Sequence, residues 1–422
     1  MRIAYIAPYQ GPGLINSRPS LRNLALAGNV KIELVAELLH QSTHDIEIIS
    51  QGEVVERRFK IYAGFREQNP YHANISVYYA SALPVRFVNG LWSSLRTLAL
   101  FKRRHSAAPF DLVIIYNLKL PQVICASYAM RRLGLPVVLE YEDDAFVDIA
   151  GRDEKGFISG YYFNLAERIL NTASGGVGVS PHILSRFPSS TPKILLRGVV
   201  SDHILKSCEQ GEKSRKNWVV YSGTLFRSKG LKQLITGWRK LGLSDWELHI
   251  AGDGELRSDL EKMALSCKSI VFHGLLNRQN NARFLSEAKI GINPHDVSQT
   301  PGNVFAFKII EYLAAGTHVI TTPMGALEPE IEAGITYVPD NSPEMISATL
   351  ERVIGGRWYE RKAVEAAQQT YGPAGVAKSL DSLLNQVMNE RAEKNKWNGG
   401  TTPVGPEKRR LRFREIVRNC FL

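Results

Sequence analysis

The stretch Pro301-Gly-Asn-Val-Phe-Ala-Phe-Lys-Ile-Ile-Glu-Tyr-Leu-Ala-Ala-Gly316 decides how the second half of the chain folds. Its pattern predicts a glycine-containing loop, then a short helix ending at Gly316, then a buried strand over residues 317–321. Loop amides at the start of a helix point at a ligand, and the helix dipole favours an anion there. Glu311 lies in this helix among long apolar side chains, which makes its carboxylate a candidate acceptor for ligand hydroxyl groups.

Outward from this stretch, short apolar runs alternate with helical periodicity in both halves of the chain. The predicted strands of the second half are 218–222, 246–251, 269–272 and 289–293, and those of the first half include 2–8, 46–49, 59–62, 75–79, 111–116, 136–140, 176–179 and 193–196. Such alternation predicts parallel sheets covered by helices on both faces. The fold class is therefore α/β, with two doubly wound Rossmann-like domains facing across a cleft and helices at the C-terminal end.

We divide the chain into a first domain over 1–205, a second domain over 206–356, helices over 357–397 that cross back to the first domain, and a basic tail over 398–422. The polar stretch 207–217 is predicted to be a linker. Helices are predicted over 29–41, 85–105, 121–133 and 342–368, the last with Ser342 as its cap and Pro343 at its first position.

Composition excludes several classes of protein. The 422 residues are 44% hydrophobic and 22% charged, as in a soluble globular protein. The four cysteines form no CxxC pair, so neither a metal site nor a disulfide framework is expected. We expect a cytoplasmic protein, because the first apolar segment is too short for a signal peptide and no stretch approaches the ~20 residues that span a bilayer. The net charge of +11 allows phosphate-bearing or anionic lipid partners, but no nucleic-acid-binding module is recognisable.

The loop after the strand over 218–222 carries two cations at a glycine-bounded helix start. The planar guanidinium of Arg227 can donate two parallel hydrogen bonds, and Lys229 carries a compact positive charge. This combination suits a diphosphate. The alternative is an ordinary solvated helix start.

The order of these loops resembles the nucleotide-sugar domain of the family 4 retaining glycosyltransferases, also called glycosyl transferases group 1. The motifs that carry the resemblance are Gly223…Lys229-Gly230, Ala251-Gly-Asp-Gly-Glu-Leu256, Val271-Phe-His-Gly274, Asn293-Pro294 and Lys308-Ile-Ile-Glu-Tyr-Leu-Ala-Ala-Gly316. The resemblance covers 218–354 well and the first half more loosely. It implies a GT-B fold, a nucleotide-diphosphate sugar as donor, no metal, no further cofactor, and retention at the anomeric carbon. The first domain would then be the acceptor side and the second the donor side.

The resemblance also implies roles for individual residues. Glu311 matches the carboxylate that accepts the ribose hydroxyls, and Lys229 matches the lysine that neutralises the diphosphate. The family pattern has arginine where Thr224 follows Gly223, and Arg227 is the nearby substitute. The pattern has glutamate where this chain has Asn303, which can bind a sugar hydroxyl but carries no charge.

Backbone amides from Val304 to Phe307, which include that of Phe305, are expected to cradle the donor sugar or phosphate. Lys308 either contacts the donor or only pairs with Glu311 along the helix.

In the first domain, Gly11 and Gly13 follow the first strand, where the backbone would come close to the donor phosphate; a plain turn is the alternative. Glu142 or Asp143, from an acidic run after the strand over 136–140, is the candidate base or acceptor contact. The expected activity is transfer of a hexosyl group. The alternatives are a nucleotide-sugar epimerase of the same fold and a degenerate transferase that binds without catalysis.

The acceptor is expected to be a saccharide or a lipid-linked saccharide used in cell-surface polysaccharide or glycolipid assembly. Helical spacing of apolar residues before a basic segment, Lys102-Arg-Arg104, suits a helix lying on an anionic membrane; core packing is the alternative. The apolar residues are Val88, Leu91, Trp92, Leu95 and Leu98. We therefore expect cytoplasmic location with peripheral attachment to the inner face of a membrane.

Overall fold

The computed structural model describes residues 1–18, 26–52, 54, 59–69, 74–85, 88–142, 157–211, 215–296, 305–325, 327–356 and 360–398. The first domain contains strands β1 (Arg2–Ile6), β2 (Asp45–Ser50), β3 (Phe65–Gln68), β4 (Ser76–Tyr79), β5 (Leu112–Tyr116), β6 (Val137–Tyr141), β7 (Gly175–Gly178) and β8 (Lys193–Leu195). Its helices are α1 (Pro12–Ser17), α2 (Leu26–Gln41), α3 (Asn89–Ala107), α4 (Leu120–Tyr128), which continues into a π-helical turn (Ala129–Leu133), α5 (Phe157–Thr172) and α6 (Pro181–Ser185).

The second domain contains strands β9 (Lys216–Ser222), β10 (Glu247–Ala251), β11 (Ile270–Gly274), β12 (Ala288–Asn293), β13 (His318–Thr321) and β14 (Ile335–Tyr337). Its helices are α7 (Asp202–Gly211), a 3₁₀ turn (Arg227–Lys229), α8 (Leu231–Leu241), α9 (Arg257–Ala264), α10 (Arg278–Ser286), α11 (Lys308–Ala314), α12 (Pro329–Glu332), α13 (Pro343–Ile354) and α14 (Arg361–Tyr371). The last helix, α15 (Pro373–Asn398), packs against α2, β7 and β8 of the first domain.

Both domains are built on parallel sheets, as the alternation predicted. Within the described residues, the first sheet has the order β3-β4-β2-β1-β5-β6-β7-β8, with only β3 antiparallel, and the second has the order β11-β10-β9-β12-β13-β14. Alternate residues of β1 enter separate apolar clusters, Ile3 and Tyr5 on one face and Ala4 and Ile6 on the other. Both faces of the sheet are therefore buried, and each such aliphatic side chain contributes about 1.5–3 kcal/mol. The predicted α/β class with two Rossmann-like domains and C-terminal helices is confirmed.

Three local predictions were wrong. The strand expected over 59–62 is replaced by β3, which begins at Phe65. The predicted linker is partly α7, whose Ile204 and Cys208 are buried in the core of the second domain. The single helix expected over 342–368 is two helices, because α13 ends at Ile354 before two glycines that favour termination. Its predicted cap is present: Ser342 Oγ accepts a 3.4 Å hydrogen bond from Met345 N.

Helix α3 is only partly the surface helix that its pattern predicted. Leu98 is buried, and the Arg104 guanidinium is engaged by Glu47, with 2.9 Å from Nε to Oε2. Val88, Leu91 and Leu95 are exposed. No helix in the described ranges is both long enough and apolar enough to cross a membrane.

Candidate functional site

The candidate site lies at the carboxyl ends of β9 and β12, neighbouring strands of the second sheet. Ligands in open parallel sheets bind at this edge, where the loops that follow the strands meet. The loop after β9 runs over 223–230, and the loop after β12 begins at Pro294. A 2.9 Å hydrogen bond from Asp296 N to Ser228 O joins them into one wall.

Gly230 fixes the turn that presents Lys229. Its φ of +68° lies in the left-handed region, and a Cβ on it would lie 1.8 Å from the Pro294 carbonyl oxygen. Only glycine avoids both problems, so the close approach of the two loops depends on it. Burial lowers the pKa of the Lys229 ammonium in this turn.

Lys308, the first residue of α11, points its ammonium group into the same wall. Its Nζ lies 3.9 Å from the centroid of the Tyr221 ring, and a Cβ on Gly223 would come within 2.4 Å of that nitrogen. Among the described residues this nitrogen has no hydrogen-bond partner, so the helix-face pair with Glu311 is not formed as a hydrogen bond. Burial, and then the positive charge of Lys229, lower the pKa of Lys308 to about 7.

Glu311 lies one turn further along α11 and is partly buried. Burial raises the pKa of its carboxyl to about 7, and Lys308 offsets only part of this effect. The next residue, Tyr312, anchors the helix to β9, because its hydroxyl accepts a 2.8 Å hydrogen bond from Ser222 N. The fold therefore fixes the turn of α11 that carries Glu311, close to Lys308.

His295 lies close to the two lysines but adds no positive charge to the wall at pH 7. It is buried, and burial together with Lys229 and Lys308 lowers the pKa of its imidazole to about 4. A neutral imidazole at pH 7 leaves the two ammonium groups as the cations of the wall. Two ammonium groups, a carboxyl group and neutral donors suit a polyanionic ligand with hydroxyl groups.

Hydrogen bonds fix the backbone of the β9 loop at Gly223 and Thr224. The Gly223 amide donates a 3.0 Å hydrogen bond to Ala251 O, and the Thr224 carbonyl accepts a 2.8 Å bond from the Tyr221 hydroxyl. Arg227, the first residue of the 3₁₀ turn, is exposed. The structure thus brings Gly223, Lys229, Lys308 and Glu311 together, with Arg227 outside them.

Asn303, Val304 and Asp143 lie outside the described residues. Phe305 is described, and the Arg197 guanidinium of the first domain lies 4.7 Å from the centroid of its ring. Arg197 Nε also donates a 3.0 Å bond to the Tyr371 hydroxyl at the end of α14. The residues that precede α11 therefore pack against the end of the first domain at Arg197.

The loop of Gly11 and Gly13 faces a side chain that the sequence did not identify, Glu67 of β3. Gly13 N donates a 2.8 Å hydrogen bond to Glu67 Oε2, and Gly11 N donates a 2.9 Å bond to the Tyr79 hydroxyl. A Cβ on either glycine would lie 2.0–2.1 Å from the Glu67 carboxylate oxygens. In this structure the two glycines make room for Glu67, which favours the plain-turn interpretation.

Glu142 follows β6 and is held by side chains of the first domain. Its carboxylate contacts the Lys31 ammonium and the Tyr116 hydroxyl, and its amide donates a 2.7 Å bond to Asn117 Oδ1. Lys31 Nζ also lies 3.1 Å from Glu140 Oε1. Burial raises the pKa of the Glu140 carboxyl, an effect that Lys31 partly offsets. Lys31 was missed because nothing in the sequence relates α2 to residues more than a hundred positions later.

Among the described residues, an ion pair joins the two domains directly. The Arg278 guanidinium at the start of α10 contacts the Glu33 carboxylate of α2, which also accepts a hydrogen bond from the Tyr9 hydroxyl. Both charged side chains are largely buried, with 16% and 8% of their surface exposed. The sequence did not predict this pair either.

With this geometry established, comparisons place the chain among known proteins. Residues 205–370 match the family model described as Glycosyl transferases group 1. That range contains every residue of the second-domain wall described above. No curated protein sequence matches the chain.

Solved structures resemble the chain along nearly its full length. Sucrose-phosphate synthase from Thermosynechococcus elongatus is 16% identical with a TM-score of 0.65, covering 92% of this chain and 100% of that one. The α,α-trehalose 6-phosphate synthase from Burkholderia multivorans is 14% identical with a TM-score of 0.62, covering 96% and 99%. The Anabaena protein HepE in complex with UDP-glucose is 12% identical with a TM-score of 0.59, covering 91% and 99%. These likenesses establish the GT-B fold, and nothing in them favours the epimerase or the non-catalytic alternative.

Proposed function

We propose that the protein transfers a hexosyl group from a nucleotide-diphosphate sugar to a hydroxyl group of an acceptor, with retention at the anomeric carbon. The observation that carries this proposal is the convergence of Lys229, Lys308 and Glu311 beside Gly223, at the ligand-binding edge of the second sheet. The family model over 205–370 and a structural neighbour bound to UDP-glucose support a nucleotide-sugar donor.

In this proposal the two lysines neutralise the donor diphosphate. Charge builds on the leaving phosphate as its bond to the anomeric carbon breaks, and fixed ammonium groups stabilise that charge. Glu311 accepts hydrogen bonds from the ribose hydroxyls, which orients the nucleotide. In the family pattern an arginine and a glutamate usually occupy the positions of Thr224 and Asn303. In this proposal Lys308 supplies the positive charge that the arginine would otherwise provide.

The proposed transfer balances with the groups of donor and acceptor alone. The acceptor hydroxyl oxygen attacks the anomeric carbon from the side that the phosphate leaves, and its proton passes to the departing phosphate oxygen. One carbon–oxygen bond breaks, one forms, and the sugar keeps its anomeric configuration. Closure of the cleft would exclude water and limit hydrolysis of the donor. Glu142 or Asp143 would contact the acceptor hydroxyl.

We propose a saccharide or lipid-linked saccharide as acceptor, used in polysaccharide or glycolipid assembly at the cytoplasmic face of a membrane. The net charge of +11 and the basic segment at 408–414 support a partner with negative charge. A radiolabelled-donor assay with lipid extracts as acceptors tests this choice. Label that enters only water-soluble products would exclude a lipid-linked acceptor.

The donor site is tested by ligand-induced stabilisation. A thermal-shift screen of nucleotide diphosphates and their sugars should raise the melting temperature for at least one of them, because a ligand of the native state stabilises it. Lys229→Ala and Glu311→Ala should each lower transfer at least about tenfold, the loss of one charge-assisted contact in the transition state. Lys232→Ala is the matched control. Lys232 lies shortly after Lys229 in the chain, but its Nζ is 3.3 Å from Asp259 Oδ2. Wild-type turnover in both site variants would refute the assignment, and nucleotide binding without turnover on any acceptor would support the degenerate alternative.

A further inference from the structure

The first half of α3 exposes its apolar side chains. Val88, at the start of the helix, and Leu91 and Leu95 along it are 43%, 41% and 44% exposed. They recur at the three- and four-residue spacing of one helix face. An unpartnered row of this kind is unusual on a soluble surface, where larger apolar patches mark interaction sites.

The opposite face of the same segment is buried and polar. Ser93, Ser94 and Thr97 have no exposed surface. Two of these hydroxyls bond back to the helix itself, from Ser94 to Gly90 O at 2.7 Å and from Thr97 to Ser93 O at 2.8 Å. The segment is therefore inverted relative to an ordinary surface helix, which buries its apolar face. Further along the helix Leu98, Leu100 and Phe101 are buried in the core, so core packing accounts for those side chains but not for the exposed Leu91 and Leu95.

A neighbouring loop extends the apolar surface. Phe59 and Ile61 are 92% and 60% exposed. Their segment is pinned beside α3, because Tyr62 and Ala82 exchange backbone hydrogen bonds of 2.8 and 3.0 Å. The chain next to Ala82 in turn contacts the helix, since Arg96 Nε donates a 3.0 Å bond to Ser81 Oγ.

Cations accompany these apolar residues. Lys60 stands between Phe59 and Ile61, and its Nζ lies 5.0 Å from the centroid of the Tyr62 ring. On α3, Arg96, Lys102 and Arg103 are exposed, and the 19 residues of the helix contain no aspartate or glutamate. The surface therefore combines separated apolar side chains with one sign of charge.

We propose that Phe59, Ile61, Val88, Leu91 and Leu95, with these cations, form a surface that docks on an anionic lipid bilayer. Apolar side chains enter the boundary between headgroups and acyl chains, and nearby lysines and arginines each gain from anionic headgroups. This docking surface deepens the proposed function, because it names the partner that would bring a lipid-linked acceptor to the cleft.

Charge complementarity favours an anionic bilayer over the other partners that could cover this docking surface. A second copy docked through the same surface would bring Arg96, Lys102 and Arg103 against an equally basic face. The segment over 399–422, with six cations and two acidic residues, also carries net positive charge and would be repelled. An anionic bilayer is attracted by the same cations.

Vesicle binding of the full-length protein tests the docking surface in the absence of donor and acceptor. The probes are vesicles of phosphatidylcholine alone and of phosphatidylcholine with phosphatidylglycerol, separated by sedimentation. The wild type should bind the anionic vesicles and should lose most of this binding at 0.5 M salt, because salt screens exposed charges. The variant Phe59→Ser, Ile61→Ser, Leu91→Ser, Leu95→Ser should bind them at least about tenfold more weakly.

The matched control is Leu265→Ser, a leucine of the second domain that is 83% exposed. It should bind vesicles like the wild type. Absence of wild-type binding, equal loss in the control, or full binding by the fourfold variant would overturn the proposal. A wild-type dimer in sedimentation velocity that the fourfold variant abolishes would instead assign the surface to a second copy. Nucleotide affinity should be the same in the variant and the wild type. The vesicle-binding result can therefore be interpreted even if the proposed donor site is wrong.

Discussion

The substitution Lys308→Met is expected to stabilise the ligand-free protein at pH 7 and to weaken its affinity for nucleotide diphosphates. Methionine keeps the unbranched apolar stem but removes an ammonium group held beside Lys229 and over the Tyr221 ring. A cation in such a place costs stability in the free protein and contributes affinity when an anion binds. The two effects should therefore have opposite signs.

The magnitude follows from the pKa of Lys308, which falls from 10.5 to about 7. At about 1.4 kcal/mol for each pKa unit, full expression of this difference would cost about 5 kcal/mol. The Nζ atom itself is buried, but relaxation of its surroundings reduces this cost, and the substitution also removes the favourable contact with Tyr221. We expect a net gain of about 1–2 kcal/mol in the free energy of unfolding, within the usual range for single substitutions.

The sign of the pH dependence separates this mechanism from improved packing. The unfolded chain keeps the lysine proton up to about pH 10.5, whereas the native protein releases it near pH 7. The destabilising contribution is complete below about pH 7 and disappears as the pH rises from 7 towards 10.5. The advantage of Lys308→Met should therefore shrink between pH 7 and pH 9.5.

Denaturant unfolding of wild type and variant at these two pH values measures the effect, and calorimetry with nucleotide diphosphates measures the affinity. Lys232→Met is the control, because Lys232 is 47% exposed and pairs with Asp259 on the surface; its change should stay within about 0.5 kcal/mol. A variant that is less stable than the wild type at pH 7, or an advantage that is constant with pH, would refute the electrostatic reasoning.

Three further predictions concern the same wall and the cleft. In calorimetry, the affinity for nucleotide diphosphate should fall above about pH 7.5 in the wild type, because Lys308 loses its proton, and this slope should be absent in Lys308→Met. Gly230→Ala should destabilise the protein by more than 2 kcal/mol in urea unfolding, whereas Gly242→Ala, at a φ of +60° but with nothing within 4 Å of its Cβ, should cost only about 1 kcal/mol. Glu33→Gln should weaken the contact with Arg278 and increase the radius of gyration in small-angle scattering; an unchanged radius would remove the pair from control of the cleft.

The fold was predictable because its signals are local. Short apolar runs alternating with helical periodicity gave both sheets, and the Ser342-Pro343 start of α13 was read correctly from capping rules. The wrong predictions also come from local signals, because such signals do not report whether a segment is buried. The apolar run at 59–62 has strand-like composition, yet Phe59 and Ile61 face outward, which no local rule distinguishes from burial.

The wall formed by Lys229, Lys308 and Glu311 was partly predictable, because Lys229 and Glu311 belong to motifs with fixed spacing. The first-domain contacts were not, because each joins residues far apart in the chain. Lys31 with Glu142, and Glu33 with Arg278, depend on tertiary placement of α2. A lysine and a glutamate two residues apart in a helix look like ordinary surface charges until the fold buries them.

Under the proposed function, the electrostatics of the wall predict a preference among nucleotides. Burial lowers the pKa of both Lys229 and Lys308, and the charge of Lys229 lowers the pKa of Lys308 further. An anion close to both raises both pKa values, so binding draws in protons and reports the number of negative charges on the ligand. A diphosphate spans two ammonium groups and a monophosphate engages one well, so affinity should fall steeply from nucleoside diphosphate to monophosphate. Glu311 works in the opposite sense, because a phosphate near its carboxylate would be repelled, which restricts that end of the wall to neutral hydroxyl groups. The charge order along α11 thus predicts how the proposed nucleotide ligand is oriented, with phosphates at Lys308 and the hydroxyl-bearing sugar of the nucleotide at Glu311.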